Sequence, residues 1–101
     1  MSQLRICAII PTHDHVSALD AILSRLEAHG LPAIVIDDGS ASENGKRISA
    51  ICARRADTEY QRHAFNGGKG FAVMCGLARA KERGFTHAVQ IDADGQHDLD
   101  C

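Results

Sequence analysis

Two aspartates separated by a single residue, Asp92 and Asp94, close the apolar run from His87 to Ile91 in the segment HAVQIDADGQHDLDC. On an extended chain their side chains point to the same side, roughly 7 Å apart. Two ionised carboxylates at that separation repel by roughly 2 kcal/mol at an effective dielectric of about 20, a cost that a cation or a basic partner relieves. Gly95 permits a sharp turn, and Gln96 and His97 add further ligand atoms. Hard oxygen donors of this kind suit a divalent ion, Mg²⁺ or Mn²⁺. Taken alone, a solvated acidic turn explains the segment slightly better.

Three other polar clusters carry candidate chemistry. In VIDDGS, a carboxylate of Asp37 or Asp38 could accept N–H or O–H groups from a ligand's base or sugar. Alone, a turn that assists the next helix N-terminus is the better account. In PTHDH, His13 and His15 could ligate zinc, but no partner cluster has zinc-like spacing. Polar side chains turned to solvent, or one ring stacking on a ligand, are the preferred reading. FNGGKG looks like a phosphate loop at a helix N-terminus, and a flexible glycine turn accounts for it equally. It is not a Walker A loop, because Gly70 rather than Ser or Thr follows Lys69.

The elements that must position these clusters follow from periodicity. LRICAII and PAIVID read as buried strands, TEYQRH as a weaker one and THAVQI as a fourth. Leu19, Ile22, Leu23 and Leu26 recur at helical spacing, with Asp14 as N-cap and Gly30 as the stop. Ser40 and Glu43 have capping-box spacing ahead of Ile48, Ile51 and Cys52, and Gly45 weakens that helix's first turn. Val73, Met74, Leu77 and Ala78 mark a third helix closed by Gly84, and the stripe from Val73 to Leu77 is assigned to core packing. The predicted helices lie near 16–29, 42–55 and 69–83. The order βαβαβαβ predicts an α/β fold, a Rossmann-like three-layer αβα arrangement with a mainly parallel sheet in the order 3-2-1-4. Each polar cluster then falls at a C-terminal strand end, where such sheets bind ligands.

Composition excludes several classes. A chain of 101 residues fits one domain, and a net charge of -2 gives no case for nucleic-acid binding. Cys7, Cys52, Cys75 and Cys101 form no CxxC pair, and the first three read as small core residues in a reducing compartment. The N-terminal apolar run is too short for a signal peptide, and no window approaches the roughly 18 apolar residues of a membrane span.

Taken together and in this order, IIPTHDH, VIDDGS, NGGKG and IDADGQHD resemble family 2 glycosyltransferases of the GT-A fold, in particular the dolichyl-phosphate-mannose-synthase-like branch. The resemblance covers essentially the whole chain. It implies a sugar transferred from a nucleoside-diphosphate sugar to an acceptor, with Mn²⁺ or Mg²⁺ held by a DxD motif. By position it implies that Pro11, Thr12 and His13 border the base and that Asp38 accepts a hydrogen bond from it. Asp92 lies near the ribose, the metal or both, Asp94 helped by Gln96 holds the metal, and Lys69 lies near the nucleotide without a firm role. His13 replaces an aromatic residue, Asp14 an asparagine and His15 a glutamate of the family's opening motif, and Leu99 stands where proline often occurs.

Family catalytic domains run well past residue 101, so the resemblance implies that residues 1–101 are the N-terminal nucleotide-sugar-binding part of a truncated catalytic domain. Nucleotide binding without turnover is expected, with the general base in the missing part. The acceptor is left open, polyprenyl phosphate or a glycan being the family-level options. The expected location is the cytoplasm, with the cytoplasmic membrane face as an option, and an uncovered strand-four edge bearing Ala88, Val89 and Ile91 points to self-association. The main alternative is a non-catalytic nucleotide- or metal-binding module or partner protein. A haloacid-dehalogenase-like phosphatase ranks low because DADG comes last in the chain. An EF-hand loop lacks its later glycine and distal glutamate.

Overall fold

The computed structural model describes residues 4–93. Its elements alternate as β1 (Ile6–Thr12), α1 (Leu19–Ala28), β2 (Ala33–Asp38), α2 (Ser42–Ala53), β3 (Thr58–His63), α3 (Lys69–Glu82) and β4 (His87–Gln90). The four strands form one sheet in the order β3-β2-β1-β4, and every pairing is parallel. The expected order and helices therefore hold, within a few residues at their ends.

Strand alternation divides the core into two layers. Ala8, Ile10, Ala33 and Val35 face α1 and α2, where they meet Leu19, Ile22, Leu23, Leu26, Ile48, Ile51 and Cys52. Cys7, Ile34 and Ile36 face α3 and meet Ala72 and Ala80. β1 runs on through Pro11 to Thr12, beyond the predicted strand. β4 pairs with β1 only as far as Ile9, so among the described residues Pro11 stands where β1 pairs with β2 alone, and its missing N–H disrupts no second ladder there.

The helix stops behave as expected. After α1, Gly30 takes φ +69°, its N–H reaches the Glu27 carbonyl at 3.0 Å, and the Leu31 N–H reaches the Leu26 carbonyl at 2.9 Å. Gly84 closes α3 in the same way at φ +81°.

The helix starts differ. α1 begins at Leu19 rather than near 16, and no side chain caps it. Asp14 instead turns away with φ 60°, and its Oδ1 accepts the Ala41 N–H at 2.7 Å and the Asn44 amide at 3.0 Å. The expected Ser40–Glu43 capping box does not form, because the N-cap of α2 is Ala41 and Ser40 Oγ accepts the Asp14 N–H at 2.7 Å.

α3 carries the largest correction. The residues it buries are Ala72, Gly76 and Ala80, whereas Met74 is 65% and Leu77 43% exposed. Ala78 is exposed too, and Val73 and Cys75 are half-buried. The stripe from Val73 to Leu77 is not the core face. A Cβ at Gly76 would collide with Ile9 Cγ2, so the helix lies close enough to the sheet that only small residues fit beneath it. Ile91, expected on an exposed edge, is buried in the α1–α2 layer, while Val89 is exposed and Ala88 half-buried. No helix among the described residues is long and apolar enough to cross a membrane.

Candidate active site

All four strands run the same way, so the segments that follow them gather along one sheet edge. Alternation then sends adjacent residues to opposite layers, and the neighbours Asp37 and Asp38 part company. Asp37 is fully buried on the α2 side. Its Oδ2 accepts the Tyr60 hydroxyl at 2.7 Å and Arg62 Nη1 at 3.0 Å, and its Oδ1 accepts the Ser40 N–H at 3.0 Å. Burial, then the hydrogen bond to Asp37, pushes the Tyr60 hydroxyl up to about 12. Arg62 Nη2 also donates to the Ser40 carbonyl at 2.7 Å. A Cβ at Gly45 would collide with Arg62, so this glycine makes room for the ion pair. Asp37 is a structural carboxylate that holds the turn.

Asp38 faces the α3 side and holds the glycine loop. Its Oδ1 accepts the Gly67 N–H at 2.8 Å and its Oδ2 the Gly68 N–H at 2.9 Å. Asn66 Oδ1 also accepts the Gly68 N–H, at 3.1 Å. Two amides of FNGGKG are therefore engaged by protein oxygens rather than presented as a phosphate cradle. Gly39, at φ +75°, permits the approach, since a Cβ there would lie 2.5 Å from the Asn66 nitrogen.

The loop after β1 is clasped to the one after β2. His13 Nδ1 lies 2.7 Å from the Asp38 backbone carbonyl, which can only accept, so this nitrogen carries the proton. His13 Nε2 lies 3.3 Å from Asp14 Oδ2. The hydrogen bond from Asn44, then that from Ala41, holds the Asp14 carboxyl below the usual carboxylate value, with His13 and His15 adding to it. Thr12 Oγ1 donates to the His15 carbonyl at 3.1 Å. A non-glycine residue at positive φ is uncommon, and here it is fixed by contacts on both sides.

These loops enclose a pocket of about 220 Å³ lined by Pro11, Thr12, His13, His15, Asp38, Asn66, Lys69, Asp92 and Ala93. Six residues singled out in the sequence, Pro11, Thr12, His13, Asp38, Lys69 and Asp92, meet in it. His15 and Asn66 were not among the expected site residues, although both stand inside the polar clusters that signalled the others. Asp94 and Gln96 lie outside the described residues. In the pocket lining, Lys69 Nζ and Asp92 Oδ1 form an ion pair at 2.5 Å. The Gln90 amide donates to the same oxygen at 3.2 Å. A larger groove of about 510 Å³ runs between α2 and β3. Volume alone would favour it, but its Tyr60 and Arg62 are committed to Asp37, and no residue of β1 or of the segment after β4 lines it.

Among the described residues no cluster of three or more His, Cys, Asp or Glu side chains could by itself hold a metal ion. Asp92 does fit as one hard ligand, since its oxygen lines the pocket and already draws a cation, the Lys69 ammonium.

Residues 7–101 match the model of glycosyl transferase family 2. The chain is 30% identical over 97 residues to the undecaprenyl-phosphate mannosyltransferase of Micrococcus luteus, covering 93% of this chain and 40% of that protein. It is 31% identical over 97 residues to the polyprenol monophosphomannose synthase of Mycolicibacterium smegmatis, covering 92% of this chain and 36% of that protein. A UDP-N-acetylglucosamine–dolichyl-phosphate N-acetylglucosaminyltransferase of Methanococcus voltae is 29% identical over 110 residues, with 96% and 44% covered. The chain thus spans less than half the length of each of these relatives.

Proposed function

The chain belongs to glycosyl transferase family 2, and we propose that its strand-end pocket receives the nucleoside diphosphate of a sugar donor. The observation that carries this is the convergence of residues from β1, β2, α3 and the end of β4 on one pocket, with a carboxylate and an ammonium paired in its lining. Pro11, Thr12 and His13 border the nucleoside. Asp38 accepts a hydrogen bond from the base while its loop contacts keep Asn66 and Lys69 in place, since each carboxylate oxygen has a second lone pair. Asp92, with Asp94 and Gln96, would hold Mn²⁺ or Mg²⁺. When bound, that ion supplies Lewis-acid neutralisation of the leaving diphosphate.

The proposed reaction of the whole protein is transfer of the sugar to a polyprenyl phosphate, since undecaprenyl-phosphate and dolichyl-phosphate stand in the names of two relatives. A lipid acceptor would bring the protein to a membrane surface. The 101 residues alone, which span 40% and 44% of those relatives, are expected to bind nucleotide without turnover.

Calorimetry with UDP and GDP, with and without Mn²⁺, tests the site. Asp94→Asn should abolish most of the metal-dependent gain, about tenfold, by removing one charged ligand. Asp38→Ala should weaken binding in both conditions. Wild-type affinity of Asp94→Asn in Mn²⁺ would refute the metal role. Sugar transfer by the 101 residues unaided would refute the expectation that they bind without turnover.

A further inference from the structure

We infer that Lys69 is a resident counter-cation that a divalent ion must displace from Asp92, and that the released ammonium then engages the phosphate of the ligand. This rests on the nucleotide site proposed above and adds a role for a residue that the resemblance placed near the nucleotide without a firm one.

Lys69 opens α3, directly after the loop that Asp38 fixes through Gly67 and Gly68. Its Nζ lies 2.5 Å from Asp92 Oδ1, and both residues line the same pocket. The two ends of this contact differ in freedom. The Lys69 side chain is 56% exposed, on a flexible four-carbon stem, whereas Asp92 is 21% exposed and follows directly from the sheet. The ammonium is the partner that can move.

A divalent ion binds a carboxylate oxygen at about 2.1 Å. With Lys69 kept on the same oxygen, the two cations would lie within about 5 Å of each other and repel. One must leave, and the lysine can. A diphosphate in this pocket offers the displaced ammonium a new anionic partner. Lys69 thus opposes metal binding when no nucleotide is bound and favours ligand binding once the metal is in place. Because coupling is reciprocal, metal and nucleotide each strengthen the other through this one side chain.

The test is titration of the full chain with Mn²⁺ alone, then with UDP or GDP at saturating Mn²⁺, for wild type, Lys69→Met and Lys69→Arg. Lys69→Met should bind Mn²⁺ alone about tenfold more tightly than wild type and the nucleoside diphosphate about tenfold more weakly, a span typical of coupled sites. Lys69→Arg, which keeps the charge, should stay close to wild type in both titrations. Opposite shifts are the signature, because a merely structural lysine would weaken both. Unchanged or weaker Mn²⁺ binding by Lys69→Met, or no Mn²⁺ binding by either protein, overturns the inference. If Lys69→Met binds Mn²⁺ more tightly but wild type binds neither nucleotide, the counter-cation stands and the nucleotide site does not.

Discussion

On one face of the sheet, α1 and α2 press Leu19, Leu23, Ile48 and Cys52 onto Ala8, Ile10 and Val35. On the other, α3 lays Ala72 and Ala80 against Cys7, Ile34 and Ile36, with Gly76 passing close over Ile9. The first face gains its stability from large aliphatic side chains removed from water. The second gains closeness, and its larger apolar residues, Phe71, Met74 and Leu77, remain outside. Ion pairs hold its rim, where Glu59 of β3 accepts Arg79 Nε at 2.7 Å and Arg83 Nη1 at 3.0 Å. The difference matters for the pocket, because the close-lying helix is the one that presents Lys69 to Asp92 and carries the glycine loop to Asp38. A thicker layer under α3 would lift both away from the strand ends.

The sharpest way to break this comparison is to substitute each face at its own key residue. Leu23→Ala removes a buried side chain from the aliphatic layer and should cost about 2–5 kcal/mol, read from urea unfolding. Gly76→Val drives a branched side chain into Ile9 and should cost about 1–3 kcal/mol. It should also weaken nucleotide binding, which Leu23→Ala should leave unaltered in the folded fraction. Equal binding losses from both would show that α3 has no special part in positioning the site.

The ion-paired rim should show itself through pH. Burial tends to raise the Glu59 carboxyl, but hydrogen bonds from Arg79 and Gln61 and the charges of Arg79 and Arg83 prevail and hold it below the ordinary value. Its contribution is therefore full above the unfolded value of about 4.3 and is lost as pH falls through the lower folded value. Glu59→Gln should cost about 1 kcal/mol at pH 7, as a partly exposed ion pair does. The gap between the two proteins should close on acidification below about pH 4. A gap independent of pH would assign Glu59 a packing role instead.

The smallest effects belong to the outward apolar residues. Met74→Gln and Leu77→Gln should each change stability by less than about 0.5 kcal/mol. A loss of several kcal/mol would restore the stripe from Val73 to Leu77 to the core. Val89→Lys on β4, which has β1 as its neighbour among the described residues, should be similarly mild for stability. Self-association through that edge is expected at moderate concentration, and the lysine should shift sedimentation toward monomer. A wild-type chain that stays monomeric over a wide concentration range would remove the edge from consideration.

Periodicity and turn chemistry made most of the fold legible. The alternation of period-two and period-3.6 runs marked seven elements, and the parallel order followed from the short crossover connections. The glycine stops at Gly30 and Gly84 were legible because a left-handed residue is a local requirement. The site was legible as clusters, since the residues after each parallel strand must share one edge. Other features were not, because they depend on what lies across space. Asp14 was free to cap α1 by spacing, yet it crosses to Ala41 and Asn44 once β1 and β2 lie side by side. An apolar count placed Met74 and Leu77 inward, but the distance between α3 and the sheet admits only Ala72, Gly76 and Ala80.

The chain by itself thus determined which residues could do chemistry and that a parallel sheet would gather them. Tertiary structure decided what each one does. Asp37 and Asp38 are chemically identical neighbours, and only the side of the sheet each one faces separates a buried partner of Arg62 from a pocket carboxylate that holds the glycine loop. Lys69 and Asp92 stand 23 positions apart in the sequence, and their pairing exists only because a close-packed helix begins where β4 ends. The physical reason is the same in both cases. Local sequence fixes backbone period and turn geometry, whereas side-chain partners are set by layer spacing and strand register, which no short stretch of chain contains.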